Sequence, residues 1–291
     1  MEDCRQKQEC RASPVGEDAL RFLSHAGALL CVATCTGLAS AADLPVVAQP
    51  SAPVPAWWAP RLSVVGTLSG TWTDNALFSR STRRSDAYVE PDISVRLDGY
   101  LTPDVTYRIY GRSEFDRFSR VRDADAAFAL WGARVSRDVG GWFTSVIYEN
   151  RYEFAGFYDE RLFTANDIKL SMVRDFSFGN WTFSPFVQGR YRFSDLKEAE
   201  YYRLDTALGI QARLNERWSV VSEPFYEAYW FTGGLNDGRV DHIYSVSIGL
   251  KYDFAPNLSL VTMVAFEERF SNVAERNYRS LDVGPKLNFA F

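Results

Sequence analysis

From Leu62 to Phe291 apolar and polar residues alternate with a period of two. An α-helix repeats every 3.6 residues, so this pattern predicts strands whose two faces meet different surroundings. The clearest stretch is 88–99, where Val89, Pro91, Ile93, Val95 and Leu97 alternate with Glu90, Asp92, Ser94, Arg96 and Asp98. Twelve such stretches are predicted, at about 62–73, 88–99, 105–117, 126–136, 142–154, 164–174, 181–193, 202–214, 218–230, 241–253, 258–269 and 277–291. The fourth is the least regular, because Phe128 and Leu130 fall on its polar parity. The last sets Leu281, Val283, Pro285, Leu287, Phe289 and Phe291 against Asp282, Gly284, Lys286, Asn288 and Ala290.

The connections alternate in length as well. Short, turn-rich ones fall at 100–104, 137–141, 175–180, 215–217 and 254–257; longer polar ones fall at 74–87, 118–125, 155–163, 194–201, 231–240 and 270–276. Short turns at one end and long loops at the other are the pattern of an up-and-down barrel in a membrane, with the short turns periplasmic. An even strand number predicts that both termini lie on the periplasmic side. Trp142, Trp181 and Trp218 each open a strand after a short turn, and Tyr100, Tyr252, Phe254 and Phe291 close strands at the same level. Such rings favour the headgroup region and predict an aromatic girdle. In hydrocarbon every backbone N–H and C=O must pair inside the protein, which requires the sheet to close.

A last strand with apolar residues at every second position and a terminal Phe291 resembles the closing strand of bacterial outer-membrane β-barrels. That resemblance implies recognition of Phe291 by the outer-membrane assembly machinery. The run Thr73–Ser79, followed by Ser85–Pro91, resembles the first hairpin of porin-like outer-membrane barrels, and Ala42-Asp43-Leu44-Pro45 resembles the mature start of several α-proteobacterial outer-membrane proteins. The likeness implies export and a barrel; it carries no substrate.

Composition narrows the picture. Aromatic residues make up 15% of the 291-residue chain, yet mean hydropathy is −0.21. No apolar run reaches the roughly 18 residues a spanning helix needs, which excludes a helical membrane protein but not a barrel, whose lipid face uses alternate residues. The cysteines are Cys4, Cys10, Cys31 and Cys35, so the body of the chain contains no disulfide. Arg21, the apolar run Ala26–Ala33 and Ala39-Ser40-Ala41 predict a signal peptide over 1–41, cleaved before Ala42. Glu17 and Asp18 are unusual ahead of such a run and point to a start codon downstream of Met1; lipid attachment at Cys35 is the alternative processing. Five prolines between Asp43 and Pro60 make 42–61 an extended linker, leaving 62–291 as the barrel. Without 1–41 the chain has 28 basic and 32 acidic residues, with no basic run or motif for nucleic acid.

If the apolar parity faces lipid, the other lines the lumen. Candidate pore-lining residues are Arg96, Arg108, Arg112, Glu114, Glu149, Arg151, Arg190, Arg192, Arg203, Arg213, Glu223 and Glu227. Arg190, Arg192, Arg203 and Arg213 are expected to form a basic ladder, faced by Glu223 and Glu227, with a transverse field that favours zwitterions, sugars or small anions. The alternative is a salt-bridged, non-conducting barrel acting through its loops. A soluble β-sandwich or lipocalin-like barrel would bury the apolar parity instead; the leader, the terminal Phe and the girdle argue against it. An enzyme is not expected: His242 shares the lipid-facing parity of Tyr244, whereas Ser245 lies on the other face, and no catalytic, cofactor or metal constellation is predicted. The sequence therefore predicts an all-β, closed antiparallel transmembrane barrel in the bacterial outer membrane. It is expected to be a narrow passive channel for small polar solutes, with outer-membrane lipid and the assembly machinery as partners.

Overall fold

The computed structural model describes residues 60–291. The predicted signal peptide and nearly all of the proline-rich linker lie outside them. The strands are β1 (Arg61–Thr73), β2 (Asp86–Thr102), β3 (Val105–Phe118), β4 (Ala126–Val139), β5 (Trp142–Ala155), β6 (Glu160–Val173), β7 (Phe176–Phe178), β8 (Trp181–Ser194), β9 (Tyr201–Arg213), β10 (Trp218–Phe231), β11 (Val240–Ala255), β12 (Leu258–Ser271) and β13 (Tyr278–Ala290). Each long strand pairs antiparallel with the next long strand along the chain, so that β8 takes both β6 and the short β7 on one side, and β1 pairs with β13. The sheet is therefore closed, and no long strand has a free edge.

Twelve long strands build the wall; β7 is the tail of β6. Val173 pairs with Phe186 and Phe176 with Phe183, which is one register interrupted for two residues. The interruption lies opposite Pro185, whose carbonyl accepts from Arg174 N at 3.3 Å but whose ring nitrogen has no hydrogen to return. The stretch 175–180, expected to be a turn throughout, is thus extended as far as Phe178.

The hairpin turns at the rim that carries both ends of the barrel are short for local reasons. Gly140 and Gly141 hold φ of +64° and +83° between the paired residues Val139 and Trp142, as a tight two-residue hairpin requires. Asn215 Oδ1 accepts from the amides of Arg217 and Trp218, both at 2.9 Å, and closes the next turn. At the opposite rim the connections carry short 3-10 turns at Arg122–Ala124, Lys197–Ala199, Gly234–Asn236 and Ala274–Arg276. Strand β6 begins at Glu160 rather than 164, so its loop is shorter than expected; Glu160 and Arg161 are exposed rim residues that mask the alternation.

The predicted parity holds around the wall. Leu62, Ile93, Ile109, Trp131, Val146, Ile168, Tyr202, Val246, Ile248 and Phe266 are exposed on the outside, while Glu114, Glu153, Asp167, Asp205, Glu227 and Arg269 are buried on the inside. An outside of this kind is matched to hydrocarbon. At the terminal rim Trp218 packs on Tyr252 at 4.6 Å, Trp142 on Phe176 at 6.5 Å and Trp181 on Phe183 at 6.1 Å, forming the expected girdle. The alternation misses a second group of rings that point inward near the loop rim. Tyr201, Tyr229 and Phe231 pack together with Ile243, and Phe78 packs on Tyr278.

Candidate functional site: a charged lumen

The period of two turns every second side chain of β2–β13 into one enclosed space, so the charges meet there instead of in bulk water. On the β5–β11 side they form a connected web. Asp167 on β6 is its centre: Arg192 Nε and Nη2 donate to its two oxygens at 2.7 and 2.8 Å, and Arg190 Nη1 lies 3.8 Å away. Arg192 reaches Glu153 at 3.9 Å, and Glu153 is also bonded by Arg151. Lys169 Nζ meets Glu149 at 2.5 Å, and Tyr110 donates to the same carboxylate at 2.5 Å.

A second knot is centred on Arg203. It bonds Asp205, Tyr229 and, at 2.6 Å, Glu227, while Tyr229 donates to Glu227 at 2.7 Å. Gln188 donates to Asp205 at 2.8 Å, and the two knots meet through Tyr201, whose ring lies 5.1 Å from the Arg192 guanidinium and 5.1 Å from the Tyr229 ring. Toward the loop rim Asp241 takes Arg239 at 3.1 Å and Arg269. Guanidinium groups stack over inward rings, Arg151 at 3.5 Å from Phe128 and Arg239 at 3.6 Å from Phe231. Removing ions from water is costly, and this pairing offsets only part of the cost, because Arg151 Nη2, Arg190 Nε and Asp241 Oδ1 are buried with no hydrogen-bond partner.

The β1–β4 and β10–β13 side is different. It borders a cavity of about 500 Å³. The cavity runs from Asn257 and Ala290 at the terminal rim to Thr71 and Tyr88 near the loop rim. Small inward side chains on β1 (Val65, Thr67, Ser69, Thr71) leave the room, because nothing on that strand is long enough to cross the lumen. Both signs of charge border it: Arg96, Arg108, Arg134, Lys251 and Lys286 with Glu90, Asp92, Glu223, Asp253 and Asp282.

The predicted candidates therefore divide. Arg96, Arg108 and Glu223 border the cavity. Arg112 and Glu114 lie on the wall beside it, Arg112 bonding Asp92 at 3.0 Å and Glu114 at 2.7 Å. Glu149, Arg151, Arg190, Arg192, Arg203 and Glu227 belong to the web. Arg213 is exposed at the terminal rim. Arg190, Arg192 and Arg203 do not form a basic row facing an acidic one, because their carboxylates are interleaved with them. The register explains this: Asp167 pairs with Arg192, Lys169 with Arg190, and Asp205 with Glu227. Arg134, Lys251, Lys286, Glu90, Asp92, Asp253 and Asp282 also border the cavity and are not among the candidates, although their inward parity is visible in the sequence. His242 points outward, its Nδ1 2.8 Å from the Tyr226 hydroxyl, and Ser245 points inward.

No family model matches the chain, and no curated protein is similar to it. Solved structures are. An outer membrane channel from Pseudomonas putida F1 aligns with a TM-score of 0.52 at 10% identity, over 82% of this chain and 100% of that one. The NanC porin aligns with a TM-score of 0.48 at 7% identity, over 77% and 98% of the two chains. A bacterial polysaccharide outer membrane secretin aligns with a TM-score of 0.46 at 10% identity, over 78% and 98%. The chain has the closed, up-and-down antiparallel barrel fold found in the Pseudomonas outer membrane channel.

Proposed function

We propose that this barrel sits in the bacterial outer membrane and is a narrow, passive channel for small polar solutes. The observation that carries the reading is the off-centre cavity, bordered by charged side chains, along the β1–β2–β13–β12 side. An apolar exterior matched to lipid, a polar interior and backbone pairing completed by closure are what a pore through hydrocarbon requires. The ion-pair web on the other side narrows the lumen and stiffens it. A barrel of about this strand number lies between filled eight-stranded and open sixteen-stranded cases, so a restricted passage is the expected geometry. In this reading the short turns and both termini face the periplasm, and the long loops face outward.

Planar-bilayer recording tests the reading. Purified barrel added to one chamber is expected to give discrete, ohmic current steps. A protein that is folded by circular dichroism and inserts into the bilayer, yet gives no steps, overturns it.

A further inference from the structure

We propose that the cavity holds a small oxyanion, carrying a carboxylate or phosphate group, against Arg96, Arg108 and Arg134. The proposal rests on the channel reading above and names the class of solute it favours.

Three adjacent strands bring these arginines together. Arg108 on β3 stands directly opposite Arg134 on β4. Across the β2–β3 pair Asp98 faces Arg108 and Arg96 faces Tyr110, one inward step away. All three arginines border the cavity. Like charges directly opposite on one sheet face repel and weaken the wall, so an anion close by stabilises the arrangement. The structure supplies part of that charge. Asp98 accepts from Arg108 Nε at 2.6 Å. Among the described residues Arg134 has no carboxylate within ion-pair range, and its two terminal nitrogens make no hydrogen bond.

The guanidinium of Arg134 is nevertheless fixed. Its Nε donates to Ser136 Oγ and Ser145 Oγ, each at 2.9 Å, and its Cζ lies 5.1 Å from the centre of the Phe143 ring. Both serines are almost wholly buried. An arginine held by its Nε presents the Nη1–Nη2 edge as a preformed two-point donor, which matches the spacing of two oxygens on a carboxylate or phosphate. Arg96 is also anchored to the wall, its Nε 3.3 Å from Ser94 Oγ.

The contrast with the other arginines supports the assignment. Arg192 and Arg203 lie under buried carboxylates and have no edge to offer. Glu90, an acid of the cavity, is well separated from the cluster. Arg96 is in register with Ser63 of β1, whereas Glu90 is in register with Ser69, six residues further along. That is about 20 Å along the strand. Asp253 lies at the terminal-rim end of the cavity but is paired with Lys251 at 3.0 Å, and Lys286 is level with Glu90 across Ser69, so the excess of arginine is local to the β2–β4 wall.

Two measurements on the same purified barrel test this. The first is calorimetric titration of the detergent-solubilised protein with inorganic phosphate. Binding is expected, weakened about tenfold or more in R134Q and unchanged in K286Q, which alters a cavity cation outside the cluster. The second is the reversal potential in a potassium chloride gradient, which is expected to show anion preference that falls in R134Q and in R108Q. R134K, which keeps the charge and loses the fork, is expected to restore the selectivity and not the phosphate affinity. Conducting barrels that bind no phosphate and whose reversal potential ignores the substitutions overturn the oxyanion site and leave the channel standing. A barrel that binds phosphate through Arg134 but passes no current keeps the site and removes the channel.

Discussion

Arg192 on β8 holds Asp167 on β6 by two parallel hydrogen bonds, Nε to Oδ1 at 2.7 Å and Nη2 to Oδ2 at 2.8 Å, with both side chains buried. Removing one partner strands the other charge in a space it cannot leave. D167A is expected to lower stability by about 3–5 kcal/mol, and the double variant D167A/R192M to recover much of that loss. Urea unfolding in lipid vesicles, followed by tryptophan fluorescence, reads both values.

Ile168 is the neighbour of Asp167 and points the opposite way, half exposed on the outside. I168R places a charge against lipid tails and is expected to cost about 2–4 kcal/mol near the bilayer centre. L170S on the same face is expected to cost far less. The same vesicle unfolding assay compares them; equal, small effects would mean that this face does not meet hydrocarbon.

The β1–β13 seam is tight at one point. The ladder skips Gly70 and Thr71 opposite Pro285 and Gly284. A side chain on Gly284 would collide with the Gly70 carbonyl and come within 2.8 Å of Thr71 Cα. Proline supplies no N–H here, so the backbones close by approach where a hydrogen bond is missing. G284V is expected to destabilise the closed barrel by about 1–3 kcal/mol, seen as loss of the fast-migrating folded band on unheated gels.

Phe291 exchanges two backbone hydrogen bonds with Val64, both 2.7 Å, and its ring lies 6.0 Å from that of Phe289. Deleting Phe291 is expected to reduce the amount of barrel assembled in cells at least several-fold while detergent refolding of the purified chain changes little. Equal losses in both settings would make the residue a structural clasp and not an assembly signal.

Much of this was legible beforehand because a wall one residue thick obeys a strict rule of two. Val89 to Asp98 could be assigned to outside and inside without knowing any partner, and turn residues such as Gly140-Gly141 marked the short rim. The lumen was less legible. Which carboxylate takes which arginine depends on register and on the curvature of the wall, so Asp167 became the partner of Arg190 and Arg192, while Glu227 went to Arg203. Phe128 falls on the polar parity, where an apolar ring reads as an irregularity, and Tyr229 and Phe231 carry no signal in the alternation; all three stack with guanidinium groups, of Arg151, Arg203 and Arg239. The gap before β7 came from Pro185 on the neighbouring strand, a pairing that no local window contains.

The most direct test of the central claim is a single thiol introduced into the passage. Residues 60–291 contain no cysteine, and Ser69 points into the cavity from β1. In S69C barrels held in a planar bilayer, a charged methanethiosulfonate reagent is expected to lower the current stepwise and reducing agent to restore it. Full labelling of the introduced thiol with no change in current would show that ions do not pass this cavity.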